Sequence, residues 1–463
     1  MLKQALGGIY LNDMKGTAGR KAIVIPVPKF VYIPMSMSAG KPAKPIVSIG
    51  DEVKVGQLIA EASATVSANV HCSVSGVVKD ITEINILTGE KATTIVIETD
   101  GKQAPLQTLQ PPVVTDYETF LKAVRDSGVV GLGGAGFPTD VKLTLKDPEN
   151  LDYMLINGAE CEPYITSDHR TMLDETEHFW EGVLSIKNYV NPKEIIICIE
   201  DNKRDAIKKI RKLCKGEDAQ GISVSVLKKI YPQGERKVMV YNVTGRIVPE
   251  GARLPDVGCV VINSTTVAVI GKYIKTGMPL VSKCVTVDGS AIGASNNVIV
   301  PIGTPVREVI DFCGGLIEDD ELGIHVESVL LGGPMTGTAI PNLDVPVVKT
   351  TNAILAFLNK SEKTLKKPVE TTQETACIKC GKCVHTCPVF LSPLKIEAAY
   401  ILKKREELKD LKVNLCIGCG CCAYSCPAKR PLVQVMQLAN DMLWEFKEKS
   451  KSEKEKKEAK RSV

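Results

Sequence analysis

Between Ile46 and Ile81, apolar and polar residues alternate in two short runs, Ser48 to Ala60 and Val70 to Val78, broken by Gly50-Asp51 and Val55-Gly56. A period of two interrupted by turn residues predicts short strands of a small β-sandwich. The pattern changes after Pro112. Tyr117 to Val124 has helical spacing, and the apolar runs Tyr153 to Ile156 and Glu194 to Ile199 alternate with helical segments such as Arg204 to Leu213. That alternation predicts an α/β layer on a parallel sheet. From Leu280 to Cys313 the punctuation is again that of strands, with Asp288-Gly289 and a Pro301-Ile-Gly-Thr-Pro305 turn. Farther on, Glu397 to Leu411 predicts one Lys/Glu/Leu-rich helix.

These patterns give an α/β multidomain chain with expected units at 1–110 (β-sandwich), 111–270 (α/β), 271–350 (a compact β-grasp, ubiquitin-like), 351–446 (helical) and 447–463 (charged tail). A length of 463 residues accommodates about three or four domains, and 44% hydrophobic content supplies a core for each. The net charge of +4 suggests an acidic partner until it is located. Lys447 to Val463 holds eight Lys/Arg against four Glu, so the first 446 residues are neutral overall. That tail predicts a solvated helix or disorder. Aromatic residues make up 5% and no basic stripe interleaves with them, which argues against nucleic acid. No run of 18 apolar residues occurs, so no membrane span is expected. The sandwich resembles lipoyl and biotinyl carrier domains, yet Ala62 to Asn69 lacks their modifiable lysine. A docking or structural role is expected there, and His71 in one of its strands is expected to be packed instead of binding metal.

The strongest chemical signal is a doubled cysteine run. Cys377-x2-Cys380-x2-Cys383-x3-Cys387-Pro388 is followed by Cys416-x2-Cys419-x2-Cys422-x3-Cys426-Pro427. Two-residue spacers let three thiolates curl round one face of a [4Fe-4S] cubane, and the fourth comes from the other run. The expected ligand sets are therefore Cys377, Cys380, Cys383 and Cys426 for one cluster, and Cys416, Cys419, Cys422 and Cys387 for the second. Zinc sites use two separated CxxC hooks. Disulfides would imply an oxidising compartment, whereas seven further scattered cysteines and no leader at Met1 suggest a reducing cytosol. Cys421, beside a ligand, has two readings, a substitute ligand or, favoured, a small cluster-packing residue.

A second signal lies at Gly128 to Lys142, where Gly131, Gly133, Gly134 and Gly136 cluster ahead of Lys142. Glycines let backbone N–H groups approach a phosphate or a flat ring, and a lysine neutralises phosphate charge. The spacing is neither that of a Rossmann fingerprint nor that of a Walker loop. Shortly afterwards Asn157-Gly-Ala-Glu160-Cys-Glu162-Pro163 delivers an amide and two carboxylates into a turn.

Together, Gly133-Gly-Ala-Gly-Phe137-Pro-Thr-x-x-Lys142 and Asn157-x-x-Glu160-x-Glu162-Pro163 resemble the FMN and NADH site of the flavoprotein subunit of respiratory complex I. With Gly7-Gly8-Ile9, the N-terminal sandwich and the paired cysteine runs, nearly the whole chain resembles the RnfC family, the NADH-oxidoreductase subunits of Rnf ion-translocating electron transport complexes. The resemblance implies FMN held by Gly131, Gly133, Gly134, Lys142, Asn157, Asn263 and Thr265, in a loop that includes Ala135 and Gly136. It sets Phe137, Glu160, Glu162, Tyr231 and Glu235 around the flavin and the nicotinamide nucleotide. It further implies hydride exchange between NAD(H) and FMN, single-electron exchange with two [4Fe-4S] clusters, and physiological flow between ferredoxin and NAD+. Its expected partners are integral-membrane and iron–sulfur Rnf subunits, with this chain peripheral on the cytoplasmic face. Arg236, Ala159 and Ser264 depart from the flavoprotein pattern, and Tyr10 stands where many RnfC chains have His. Two alternatives share parts of the pattern: a cobalamin reductase, which lacks the N-terminal sandwich, and a non-catalytic ferredoxin-like carrier, which lacks bound FMN.

Overall fold

A computed structural model describes residues 7–86, 89–321, 323–359 and 373–461. It is a mixed α/β chain with four architectures in succession. The N-terminal sandwich pairs a four-stranded sheet, ordered Phe30–Pro34, Lys91–Thr99, Gly76–Asn85 and Glu52–Val53, with a three-stranded one of Lys44–Pro45, Leu58–Glu61 and Val70–His71. Its tight chain reversal needs Gly40 at φ +89°, where a Cβ would stand 2.0 Å from the Val66 carbonyl. His71 is buried with Nδ1 unpartnered, and burial pushes its pKa down to about 3. It is a neutral packed histidine, as expected.

The α/β layer has four parallel strands in the spatial order Ile222–Leu227, Glu194–Glu200, Tyr153–Gly158 and Cys259–Asn263. Ile195 to Ile199 is buried throughout, because helices cover both faces of such a sheet. The first strand in sequence, Tyr153–Gly158, has its successors on one side and the last strand on the other. A crevice therefore opens between the C-terminal ends of Tyr153–Gly158 and Cys259–Asn263. Helix Ser264–Thr276, which leaves that crevice, packs against helix Thr176–Tyr189. Gly182 and Gly271 let the two backbones touch: a Cβ on Gly182 would stand 2.0 Å from the Val267 carbonyl.

The β-grasp sheet departs from the expected boundaries at both ends. Its order is Ile23–Val24, Asn296–Pro301, Ser282–Asp288, Ala353–Leu358, Val326–Leu331 and Thr338–Ala339. Ile23–Val24, expected with the sandwich, extends this sheet by parallel pairing with Asn296–Pro301. Ala353–Leu358, expected with the helical unit, lies at the centre, parallel to Ser282–Asp288 and antiparallel to Val326–Leu331. An Ala-Ile-Leu-Ala-Phe-Leu run buries well only with neighbours on both edges, which the grasp sheet supplies and a cysteine-run domain does not.

In the C-terminal unit the single helix expected over Glu397–Leu411 is two, Pro393–Ile401 and Arg405–Asp410, separated by Lys403 at φ +54°. The break turns Leu408 into a core with Met436, Ala439 and Leu443. Each cysteine run carries the same short turn of helix, Lys382–His385 and Cys421–Tyr424, entered through a left-handed glycine, Gly381 or Gly420. The final helix, Leu432–Arg461, takes in the backbone of most of the Lys/Glu tail; the side chains from Lys447 onward lie outside the described residues. Among the described residues no helix is long and apolar enough to cross a membrane.

Candidate functional site

Asn157 and Asn263 face each other in register at the C-terminal ends of adjacent parallel strands, across the crevice. Asn263 caps helix Ser264–Thr276 by accepting from the Thr266 N–H at 3.1 Å, and its Nδ2 donates to Asp168 at 2.7 Å. Thr265 donates to the same carboxylate at 2.5 Å. Asn157 donates to the Gly234 carbonyl at 2.9 Å and accepts from the Ala159 N–H at 3.1 Å. Both asparagines thus have internal partners and act as rigid posts. Ser264 is buried, with its hydroxyl unpartnered.

Over this end folds the glycine loop. Gly131 N–H donates to the Phe137 carbonyl at 2.8 Å and Gly136 N–H to the Gly131 carbonyl at 3.2 Å, closing the loop on itself. Leu132 N–H donates to Thr266 at 3.0 Å and fixes the loop to the helix N-terminus. Gly133, Gly134 and Ala135 are exposed. Among the described residues no acceptor meets their three consecutive N–H groups. Gly134, at φ +135°, has nothing within 4 Å of where a Cβ would be, whereas a Cβ on Gly133 would come within 3.3 Å of Asn263 Nδ2. Phe137 is half-buried beside them. Lys142 reaches under the loop, its Nζ 3.7 Å from where a Gly131 Cβ would lie. Burial and the nearby Arg236 guanidinium lower its pKa. Unbonded amides beside a half-buried cation fit the phosphate of a flavin nucleotide.

The acidic turn is held from beneath. Glu160 adopts φ +47°, and its carboxylate accepts from the N–H groups of Asp168 (2.6 Å) and His169 (3.3 Å) at the start of helix Ser167–Asp174. Burial pushes its pKa up to about 7; Lys15 opposes that rise and Asp168 adds to it. Glu162 accepts from the Met335 N–H at 3.0 Å and from Thr336 at 2.6 Å, reaching into the β-grasp unit. Burial raises its pKa as well. Glu235 caps helix Arg236–Thr244, accepting from the Lys237 and Val238 N–H groups, and Arg236 beside it is exposed.

Sequence patterns missed the supports of these residues. Lys15 donates to the carbonyls of Glu160, Glu162 and Ile165. Lys203 donates to the Ala159 carbonyl at 2.5 Å and pairs with Glu200 at 3.3 Å, each side chain 1% exposed. Lys283, whose pKa burial lowers to about 8, faces the Asp168 carboxylate and the Leu132 carbonyl. Only Asp168 stands near a recognisable motif, and nothing marks it apart from a surface carboxylate.

The cysteines form two separate hollows. Cys377, Cys380, Cys383 and Cys426 line one, and Cys387, Cys416, Cys419 and Cys422 line another. Among the described residues no three ligands converge closely enough for a single metal ion; four thiols round a hollow suit a cluster. Tyr231 links the second hollow to the acidic turn: its hydroxyl donates to the Cys419 carbonyl at 2.7 Å, and it packs in one cluster with Cys161. Cys421, fully buried, packs on the Tyr231 backbone. The Gly7-Gly8-Ile9 segment bridges the same junction. Gly8 N–H donates to the Thr386 carbonyl, and Ile9 pairs with Tyr231.

Family models match in the order of these units: the RnfC barrel sandwich hybrid domain over residues 3–102, the Nuo51 FMN-binding domain over 124–272, the SLBB domain over 284–339, and a 4Fe-4S dicluster domain over 370–427. The C subunit of the proton-translocating ferredoxin:NAD(+) oxidoreductase complex of Clostridium ljungdahlii is 38% identical over 85% of this chain and 83% of its own length. Its Na(+)-translocating counterpart in Acetobacterium woodii is 39% identical over 80% and 81%. The C subunit of the ion-translocating oxidoreductase complex of Rhodobacter capsulatus is 38% identical over 95% and 83%. With an FMN-binding domain, a dicluster domain and these relatives, the chain belongs to the RnfC family, the C subunits of Rnf complexes.

Proposed function

We propose that this chain carries electrons between NAD(H) and two [4Fe-4S] clusters within an Rnf-type ferredoxin:NAD+ oxidoreductase. When bound, FMN supplies the exchange between two-electron hydride chemistry and one-electron cluster chemistry. The observation that carries this reading is the row of unbonded N–H groups at Gly133, Gly134 and Ala135 beside Lys142, at the open end of the parallel sheet. In this reading Lys142 and the loop hold the phosphate. Asn157, Asn263 and Thr265, fixed by Gly234 and Asp168, define the crevice walls, and the turn at Glu160 and Glu162 borders the nucleotide. Gly131, Gly136, Phe137, Tyr231 and Glu235 shape the same site. The two cysteine sets are crossed between the runs, and Tyr231 keeps the Cys419 side of the second set against the flavin crevice.

The N-terminal RnfC-type sandwich favours this reading over a cobalamin reductase. The unbonded donors of the glycine loop favour it over an electron carrier without flavin. The protein works at the cytoplasmic membrane face, attached through integral partners and itself peripheral. Anaerobic purification tests the proposal: the protein should contain about eight irons and acid-releasable FMN, and should oxidise NADH with an artificial acceptor. Iron without flavin would favour the carrier.

A further inference from the structure

We propose that the groove between helix Arg204–Leu213 and strand Ile222–Leu227 receives an acidic, extended segment of a partner polypeptide, which joins the parallel sheet as a fifth strand. Arg204, Lys208, Arg211 and Lys212 fall on one face of the helix, and Lys215 follows just past its C-cap. The opposite face is in the core through Ala206, Ile207 and Ile210. All five cations are exposed, and together with Asp201, Ile207 and Val226 they line an open groove. The first 446 residues are neutral overall, so this stripe is a local concentration of charge and no reflection of the composition.

The strand beside the stripe is the edge of its sheet, among the described residues paired with Glu194–Glu200 alone. An unpaired edge offers main-chain donors and acceptors to an added strand, while side chains set the specificity. The dimensions agree. The ten residues of helix Arg204–Leu213 span about 15 Å, the length of about four or five extended residues, and the edge strand has six residues. In such a segment, acidic residues at alternate positions would meet the stripe. The groove also begins at Asp201, two residues before Lys203, which holds the Ala159 carbonyl of the acidic turn. A partner seated here would therefore lie on the same sheet as the crevice, beside the segment whose Lys203 supports the acidic turn. The alternative role of a cationic stripe flanking an open strand edge is to discourage sheet-to-sheet aggregation, which requires no ligand.

The test uses the full purified chain with a blocked peptide of three Glu-Val repeats, its Lys-Val counterpart, and phosphatidylserine-containing vesicles. The acidic peptide should bind and slow amide exchange in Ile222–Leu227, and the basic one should not bind. Reversing the stripe with Lys208→Glu, Arg211→Glu and Lys212→Glu should weaken binding at least about tenfold, with the unfolding midpoint and flavin content unchanged. Binding without protection of the edge strand would overturn strand addition. Flotation with vesicles but no peptide binding would assign the stripe to a membrane surface instead, and no binding to either would leave it an anti-aggregation edge. None of these outcomes depends on the flavin reading, whose failure would appear as missing FMN.

Discussion

The two cysteine hollows and the glycine-loop crevice are built on opposite principles. In the hollows the proposed chemistry would reside in the eight lining cysteines themselves, and short spacers along the chain bring three of each four together. In the crevice nearly every candidate side chain already has a partner: Asn263 and Thr265 bond Asp168, Asn157 bonds Gly234, Glu160 caps a helix, and Glu162 grips the Met335 turn. What remains free there is mostly backbone. The polar side chains of the crevice are therefore committed to its frame, and the proposed reading gives binding to the loop amides and Lys142.

The most severe break of that comparison is at a shared cysteine. Cys387→Ala should remove or alter the cluster held by Cys416, Cys419 and Cys422, lowering iron from about eight toward about four per chain. Low-temperature EPR should leave the signal of the Cys377 cluster intact; a change confined to that cluster would reverse the crossed assignment.

Next in size is a support of the crevice. Lys203→Met strands Glu200 in the core and frees the Ala159 carbonyl, and removing one member of a buried pair costs about 3–5 kcal/mol. Urea unfolding should show that loss, and the double variant Lys203→Met/Glu200→Leu should recover much of it. Equal losses would mean that the pair contributes nothing beyond packing.

Glu160 adds a pH dependence. Its folded pKa, about 7, lies above the usual 4.5, so between these values the folded state binds more protons than the unfolded chain, and stability falls as pH rises. The contribution is fully present below about pH 4.5 and lost through pH 7, by about 3 kcal/mol at most. Glu160→Gln should flatten the decline measured by thermal unfolding across that window.

The smallest expected effect is on binding. Lys142→Ala should weaken FMN retention by about 1.5–3 kcal/mol, one charge-assisted hydrogen bond. Wild-type retention in a fluorescence titration of released flavin would take Lys142 out of the site.

The same contrast explains what was legible in the sequence. Cluster ligands could be read from spacing, since the constraint is local and covalent. The parallel sheet was equally open to reading, because the buried run Ile195 to Ile199 leaves no alternative to a strand covered on both faces. Lys15, Lys203 and Lys283 were not, because each works through contacts more than 40 residues away along the chain or through a buried pocket that only the fold creates. Likewise, nothing local distinguishes Ala353–Leu358 from a strand of the next unit until Ser282–Asp288 and Val326–Leu331 flank it. The cationic stripe from Arg204 was hidden by a composition that sums to zero. Only a helix axis brings its charges to one side.

The most direct test of the account is an anaerobic titration of the purified chain with NADH, followed by absorption and EPR together. A flavin crevice joined through Tyr231 to the Cys387, Cys416, Cys419 and Cys422 site predicts that flavin absorbance bleaches and reduced-cluster signals appear in the same protein without added mediator. Flavin that bleaches while both clusters stay EPR-silent, even though dithionite reduces them, would contradict it.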